Sequence, residues 1–121
     1  MERVTGFGGF FFRASDPPAL SRWYAERLGV LPPPQSMDDA PWEQEAGITV
    51  FGPSGPAADD LGLLGPGGFG LNFRVADLEA MVEQLRSAGE TVEVDPTDYP
   101  YGRFASLRDP EGNPIQLWEP A

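Results

Sequence analysis

The chain contains no cysteine, no histidine and no lysine. Each absence removes a chemistry. Without cysteine there is no disulfide, no thiolate nucleophile and no thiolate metal ligand. Without histidine there is no imidazole base and no Ser–His–Asp triad, and without lysine there is no Schiff base. A metal ion would have to be held by carboxylates, amides and water, a donor set that suits hard cations better than zinc or iron. No apolar run approaches the roughly 20 residues that span a bilayer. The opening stretch "MERVTGFGGFFFRASD" has no basic segment ahead of a long apolar one, so no secretion signal is read there and the cytoplasm is the expected compartment. Positive charge is also scarce: 8 basic residues, all arginine, face 19 acidic ones, for a net charge of −11. Such a surface repels nucleic-acid phosphates and anionic lipid, so neither nucleic acid nor a membrane is an expected partner. It could attract a cationic ligand, although solubility or a genome-wide acidic bias is the more ordinary account of the charge. Arginine-only cations with 15 Gly and 14 Pro fit a GC-rich genome.

What is present suffices for one domain over residues 1–121. Hydrophobic residues make up 40% of the chain, enough to build a core and to argue against wholesale disorder. The chain also repeats itself. "FRASDPPALSRWYAERLGV" from Phe12 and "FRVADLEAMVEQLRSAGETV" from Phe73 align Phe12 with Phe73, Arg13 with Arg74 and Asp16 with Asp77, each 61 residues apart. Two units follow, about 1–53 and 68–121. The Gly- and Pro-rich stretch "GPSGPAADDLGLLGPGG" joins them, as a plain linker or as a loop over a pocket.

Each unit opens with a strand. In "GLNFRVAD", Leu71, Phe73 and Val75 alternate with Gly70, Asn72 and Arg74, the period of a half-buried strand. "GGFFFRASD" is its counterpart, with Phe10 and Phe12 on one face and Gly9, Phe11 and Arg13 on the other. A helix comes next in both. Asp16 and Asp77 are N-cap residues, Pro17 occupies the tolerated first position, and Gly29 and Gly89 end the helices. Leu20, Tyr24 and Leu28 form one apolar stripe; Leu78, Met81, Val82 and Leu85 form the other. Three further strands are expected per unit. In the second unit they are "TVEV", "RFASLR" and "IQLWE", with "DPEGNP" as a hairpin turn. In the first they are a weak strand at 33–36, one at 42–45, and "GITVF".

Two strand–helix–three-strand units, with the duplicated "FR…D" and the closing "DPEGNPIQLWE", resemble the vicinal oxygen chelate superfamily, which includes glyoxalase I, extradiol dioxygenases and bleomycin resistance proteins. The resemblance covers nearly the whole chain. It implies an α+β fold: two tandem βαβββ units whose mixed sheet curls into a cup with the helices outside. It also implies four metal-ligand positions on the concave face, often His at the first and third and Glu at the last. By motif these fall on Gly9, Thr49, Gly70 and Gln116. None is charged and two have no side chain to coordinate with, so no metal and no cofactor is expected. Gln116 keeps hydrogen-bonding capacity where an unpaired buried carboxylate would be costly. Gln116 as a plain satisfied amide is the alternative.

Alternation assigns the faces independently. Ile48, Val50, Leu71, Phe73, Val75, Ile115 and Leu117 should pack against the helices. Their neighbours then line the cup: Phe11, Arg13, Thr49, Phe51, Asn72, Arg74, Phe104, Ser106, Gln116 and Trp118. Trp42 adds an aromatic surface, and Tyr101 and Arg103 of "DYPYGRF" stand at the rim. Aromatics with a few amides, hydroxyls and arginines make a small-molecule surface; a sheet face covered by a partner chain is the competing explanation. Arg13 and Arg74 could fork onto an anion, but in so acidic a chain they are expected to pair with neighbouring acids. The expected function is metal-free binding of an aromatic or cationic small molecule, as sequestering resistance proteins do, by a homodimer. One alternative is a lyase or dioxygenase whose metal sits at shifted positions, through Glu43, Glu45 or Glu119. Another is a metal-free enzyme with a carboxylate or tyrosine base.

Overall fold

Asp16 and Asp77 begin the two helices as their chemistry requires. In a computed structural model, which describes residues 1–56 and 63–121, the Asp16 carboxylate accepts from the Ala19 amide and starts α1, Pro17–Leu28. Asp77 does the same for Ala80 and starts α2, Leu78–Ser87. These side chains satisfy amides that have no partner inside the helix. α1 stops at Gly29, whose φ of 72° is the left-handed geometry of a helix end. In α2 the cap is Ala88, one residue earlier than expected, and Gly89 follows with positive φ.

The second unit is laid out as β1 (Leu71–Arg74), α2, β2 (Glu93–Val94), β3 (Gly102–Arg108) and β4 (Pro114–Pro120). The four strands form one sheet in the order β1-β4-β3-β2. β1 runs parallel to β4; β3 is antiparallel to both its neighbours. The β3–β4 turn is closed by bonds from the Gly112 amide to the Asp109 carbonyl and from the Asp109 amide to the Asn113 carbonyl. With two helices and an open mixed sheet among the described residues, the fold is α+β.

One sheet face is apolar and carries both helices. Leu117, Ile115, Leu107 and Ala105 are buried there with Leu78, Val82 and Leu85 of α2 and Leu20, Trp23 and Tyr24 of α1. Full burial of a side chain such as Leu85 or Leu117 stabilises by about 1.5–3 kcal/mol. α1 is further held by polar ties. The Glu111 carboxylate accepts from the Ser15 and Asp16 amides, and Glu90 accepts from the Trp23 indole and the Arg27 guanidinium.

The first unit departs from expectation. Its helix forms, but 9–13, 33–36, 42–45 and 48–51 make no strand. Ile48 and Val50 are 68% and 74% exposed instead of packing against a helix. Alternation gives a segment two faces; it does not supply a neighbouring strand. Three consecutive prolines, Pro32–Pro34, lack amide donors, which disfavours pairing there. Phe10 and Phe12 turn to Phe69, just ahead of β1, with ring centroids 5.5 and 5.3 Å away. Residues 57–62 of the expected linker lie outside the described residues. Among the described residues no helix is long and apolar enough to cross a membrane.

Candidate functional site

The sheet face turned away from the helices carries the polar and aromatic residues. Strand pairing arranges them in two rows. The first runs Asn72, Gln116, Ser106, Glu93 across β1, β4, β3 and β2. Asn72 Nδ2 donates to Gln116 Oε1 at 2.7 Å, so the two amides form a bonded pair on neighbouring strands. The second row runs Arg74, Trp118, Phe104. The Trp118 and Phe104 rings are nearly parallel, 6° apart in plane, with centroids 6.3 Å apart.

Gly102 lets these rings approach the strand end. Its φ of 132° and the closeness of Glu119 and Trp118 leave no room for a Cβ. The Trp118 indole therefore packs over the start of β3 and donates to the Tyr101 carbonyl at 2.9 Å. Trp118 is buried, and its polar atom is already used. Beyond it, Tyr99 and Tyr101 stack at 5.3 Å and meet Phe104 edge-on. Tyr99 donates to Asp95, which also accepts from the Thr97 amide. These bonds, the backbone one first, hold the Asp95 carboxyl below its ordinary range, and the bond to Asp95 raises the Tyr99 hydroxyl.

Arg74 is half-buried at the β1 edge. Its guanidinium donates to the Glu45 carbonyl at 2.9 Å, and Gly47 lies so close that a Cβ there would strike it. Among the described residues no carboxylate lies within ion-pair range of Arg74 or Arg13, contrary to the expectation of acidic partners. Arg74 is instead anchored by a backbone carbonyl.

The structure thus brings together Asn72, Arg74, Phe104, Ser106, Gln116 and Trp118, with Tyr101 at the rim. Arg103 is a correction: it lies on the opposite face, 3.4 Å from Glu79 of α2, because it shares strand parity with Ala105 and Leu107. Phe11, Arg13, Trp42, Thr49 and Phe51 are exposed and lie outside the strands that build this face; Phe51 meets Phe7. Asp95 and the Glu45 carbonyl were not among the expected site residues. "DPTD" is an Asx-turn signal that pointed to Asp95, whereas a backbone contact such as that of Glu45 leaves no trace in residue types.

The four inherited metal positions do not fit a divalent ion. Gly9 and Gly70 offer no side-chain donor, Thr49 is exposed and bonds to the Gly47 carbonyl, and Gln116 Oε1 is taken by Asn72. Of the shifted candidates, Glu119 accepts from the Leu78 amide at the start of α2, on the helix side of the sheet. Glu43 and Glu45 are exposed, and among the described residues no three acidic side chains cluster around a common point.

A glyoxalase-like domain family matches residues 9–118. No curated protein matches the chain. Among solved structures, TnmS3, an antibiotic binding protein from Streptomyces sp. CB03234, aligns over 100% of both chains with 23% identity and a TM-score of 0.66, a likeness of fold. A glyoxalase/bleomycin resistance protein from the same strain is 38% identical over 41% of this chain and 43% of that one, with a TM-score of 0.37. With the family match covering residues 9–118, nearly the whole chain, the chain belongs to the glyoxalase-like domain family.

Proposed function

We propose that this is a small-molecule-binding protein that takes up a planar aromatic compound on the outer sheet face without a metal, and that it works by sequestration. The observation that carries this reading is the face itself. Phe104 and the Tyr101 ring offer stacking surface, and the bonded Asn72–Gln116 pair keeps amide hydrogens and lone pairs for a ligand. The fold likeness to a protein described as antibiotic binding supports it. The residues at the inherited ligand positions favour binding without a metal over metal-assisted chemistry, because two neutral donors do not offset the dehydration of a divalent cation. The expected compartment remains the cytoplasm.

The same reading takes the working form as a homodimer. Phe7, Phe11, Ile48, Val50 and Phe51 are all more than half exposed in the single chain. That is much apolar surface to leave in water, and a second copy would cover it and enclose the open face. Sedimentation velocity at micromolar concentration should give a species of twice the chain mass.

The binding test is quenching of intrinsic fluorescence by a panel of bicyclic and tricyclic aromatic compounds. Saturable quenching is expected for the native chain and at least about tenfold weaker binding for Phe104→Ala, since one stacking contact contributes about 0.5–1.5 kcal/mol beyond its buried area. Elemental analysis of protein purified without chelators should find far less than one Zn, Ni, Mn or Fe per chain. Stoichiometric metal lost on Gln116→Ala would overturn the metal-free part.

A further inference from the structure

The charges on the outer face are separated. Arg74 stands at the β1 edge, and Glu93 and Asp95 stand at the β2 edge, across the sheet. Three strand spacings, roughly 14 Å, separate the two edges. Between them lie the amide pair, Ser106, Trp118 and Phe104, and the other arginine of this face, Arg108 at the turn end of β3, donates to the Gly112 carbonyl.

Arg74 is built into its place. Burying part of a guanidinium without a carboxylate partner is unfavourable unless other acceptors are provided. One acceptor is provided, the Glu45 carbonyl, and the missing side chain of Gly47 leaves space for the group. A carbonyl satisfies one N–H without neutralising the charge, and among the described residues no carboxylate lies within ion-pair distance of it. The remaining N–H groups of the fork then suit a planar acid. The overall charge of −11 does not cancel this locally, because charges more than about 8 Å away through solvent are screened at physiological salt.

Resting on the binding reading above, we propose that Arg74 makes this face selective for planar aromatic compounds carrying an acidic group, with the acid at the β1 edge and the ring over Phe104. This reverses the preference for cations that net charge alone suggests. The amide pair meets carbonyl or hydroxyl groups along the ligand's length, and the carboxylates at the β2 edge exclude a second acid there.

Three probes of matched shape test it: 2-naphthoate, 2-naphthamide and 2-naphthylmethylammonium, titrated calorimetrically against the full chain. Naphthoate is expected to bind about tenfold tighter than naphthamide, the difference between a bidentate Arg–carboxylate pair and a bond from the same guanidinium to a neutral carbonyl. Arg74→Met should erase that ratio, with the larger loss falling on naphthoate, and Arg74→Lys should keep part of it. In the native chain, which needs no substitution to fold, the ratio should fall as salt is raised. If naphthamide or the ammonium binds in a Phe104-dependent way and naphthoate has no advantage, or keeps its advantage in Arg74→Met, the proposal is overturned and the binding reading stands. If none of the three binds, or if folded Phe104→Ala binds all three unchanged, the face is not the binding site and both fall.

Discussion

Tyr24 and Asp109 form a buried polar contact between α1 and the β3–β4 turn. The hydroxyl donates to Asp109 Oδ2 at 2.7 Å, and Asp109 also accepts from the Asn113 side chain and from the Glu111 and Asn113 amides. Burial first, and the carboxylate second, push the Tyr24 hydroxyl well above the ordinary tyrosine range. A raised pKa means that the folded chain holds a proton which the unfolded chain releases near pH 10. The associated stability is complete below that pH and is lost as the pH rises beyond it. Tyr24→Phe should cost about 1–3 kcal/mol at neutral pH, since it removes a bond to a buried charged acceptor. It should also flatten the alkaline limb of a urea-denaturation series run from pH 8 to 11. Gly102 makes a second case at this scale. With φ at 132° and Glu119 backbone against it, Gly102→Ala should destabilise by more than the roughly 1 kcal/mol of an ordinary positive-φ glycine. It should also shift Trp118 fluorescence, whereas Gly112→Ala, with open space at its Cβ, should lack the spectral change.

Among the elements, α2 depends on its first turn. Asp77 caps it, and Glu119, reaching from β4, accepts from the Leu78 amide at 2.9 Å. A carboxylate there meets both an unsatisfied donor and the positive end of the helix dipole. Glu119→Gln should therefore lower stability by about 1 kcal/mol. The Arg103–Glu79 pair, with Glu79 82% exposed, should contribute almost nothing, so Arg103→Met is its control; thermal melting of the two variants compares them. The helices and the second-unit strands were legible in the sequence because each carries two agreeing signals. Asp77 marks a start where the apolar stripe of Leu78, Val82 and Leu85 begins, and "DPEGNP" is a turn between two alternating runs. "GITVF" has only alternation, and in the structure it has no strand beside it. The face of Asn72, Gln116, Ser106 and Phe104 was likewise readable from parity. Arg103 stands next to the rim in sequence, but its parity with Ala105 and Leu107 puts it on the helix face. The Arg74 anchor was hidden because its acceptor is a carbonyl, which every residue possesses.

For the molecule as a whole, the excess of negative charge opposes compaction. Self-repulsion at −11 should fall as salt screens it. The melting temperature is expected to rise between low and moderate sodium chloride, against the small loss that screening causes at the α2 start. The parallel pairing of β1 with β4 has a consequence in time. β3 and β4 are joined by a tight turn and can zip locally, whereas β1 is separated from its partner β4 in sequence by α2, β2 and β3. Closing so long a loop is slow relative to a hairpin. β1 is therefore expected to dock late, with Asn72 meeting Gln116 in the final step. Leu117→Ala should mainly retard refolding, and Phe73→Ala should mainly hasten unfolding, in stopped-flow kinetics. A compound held across that junction would act as a latch on the last strand to arrive, so it should slow unfolding without accelerating refolding.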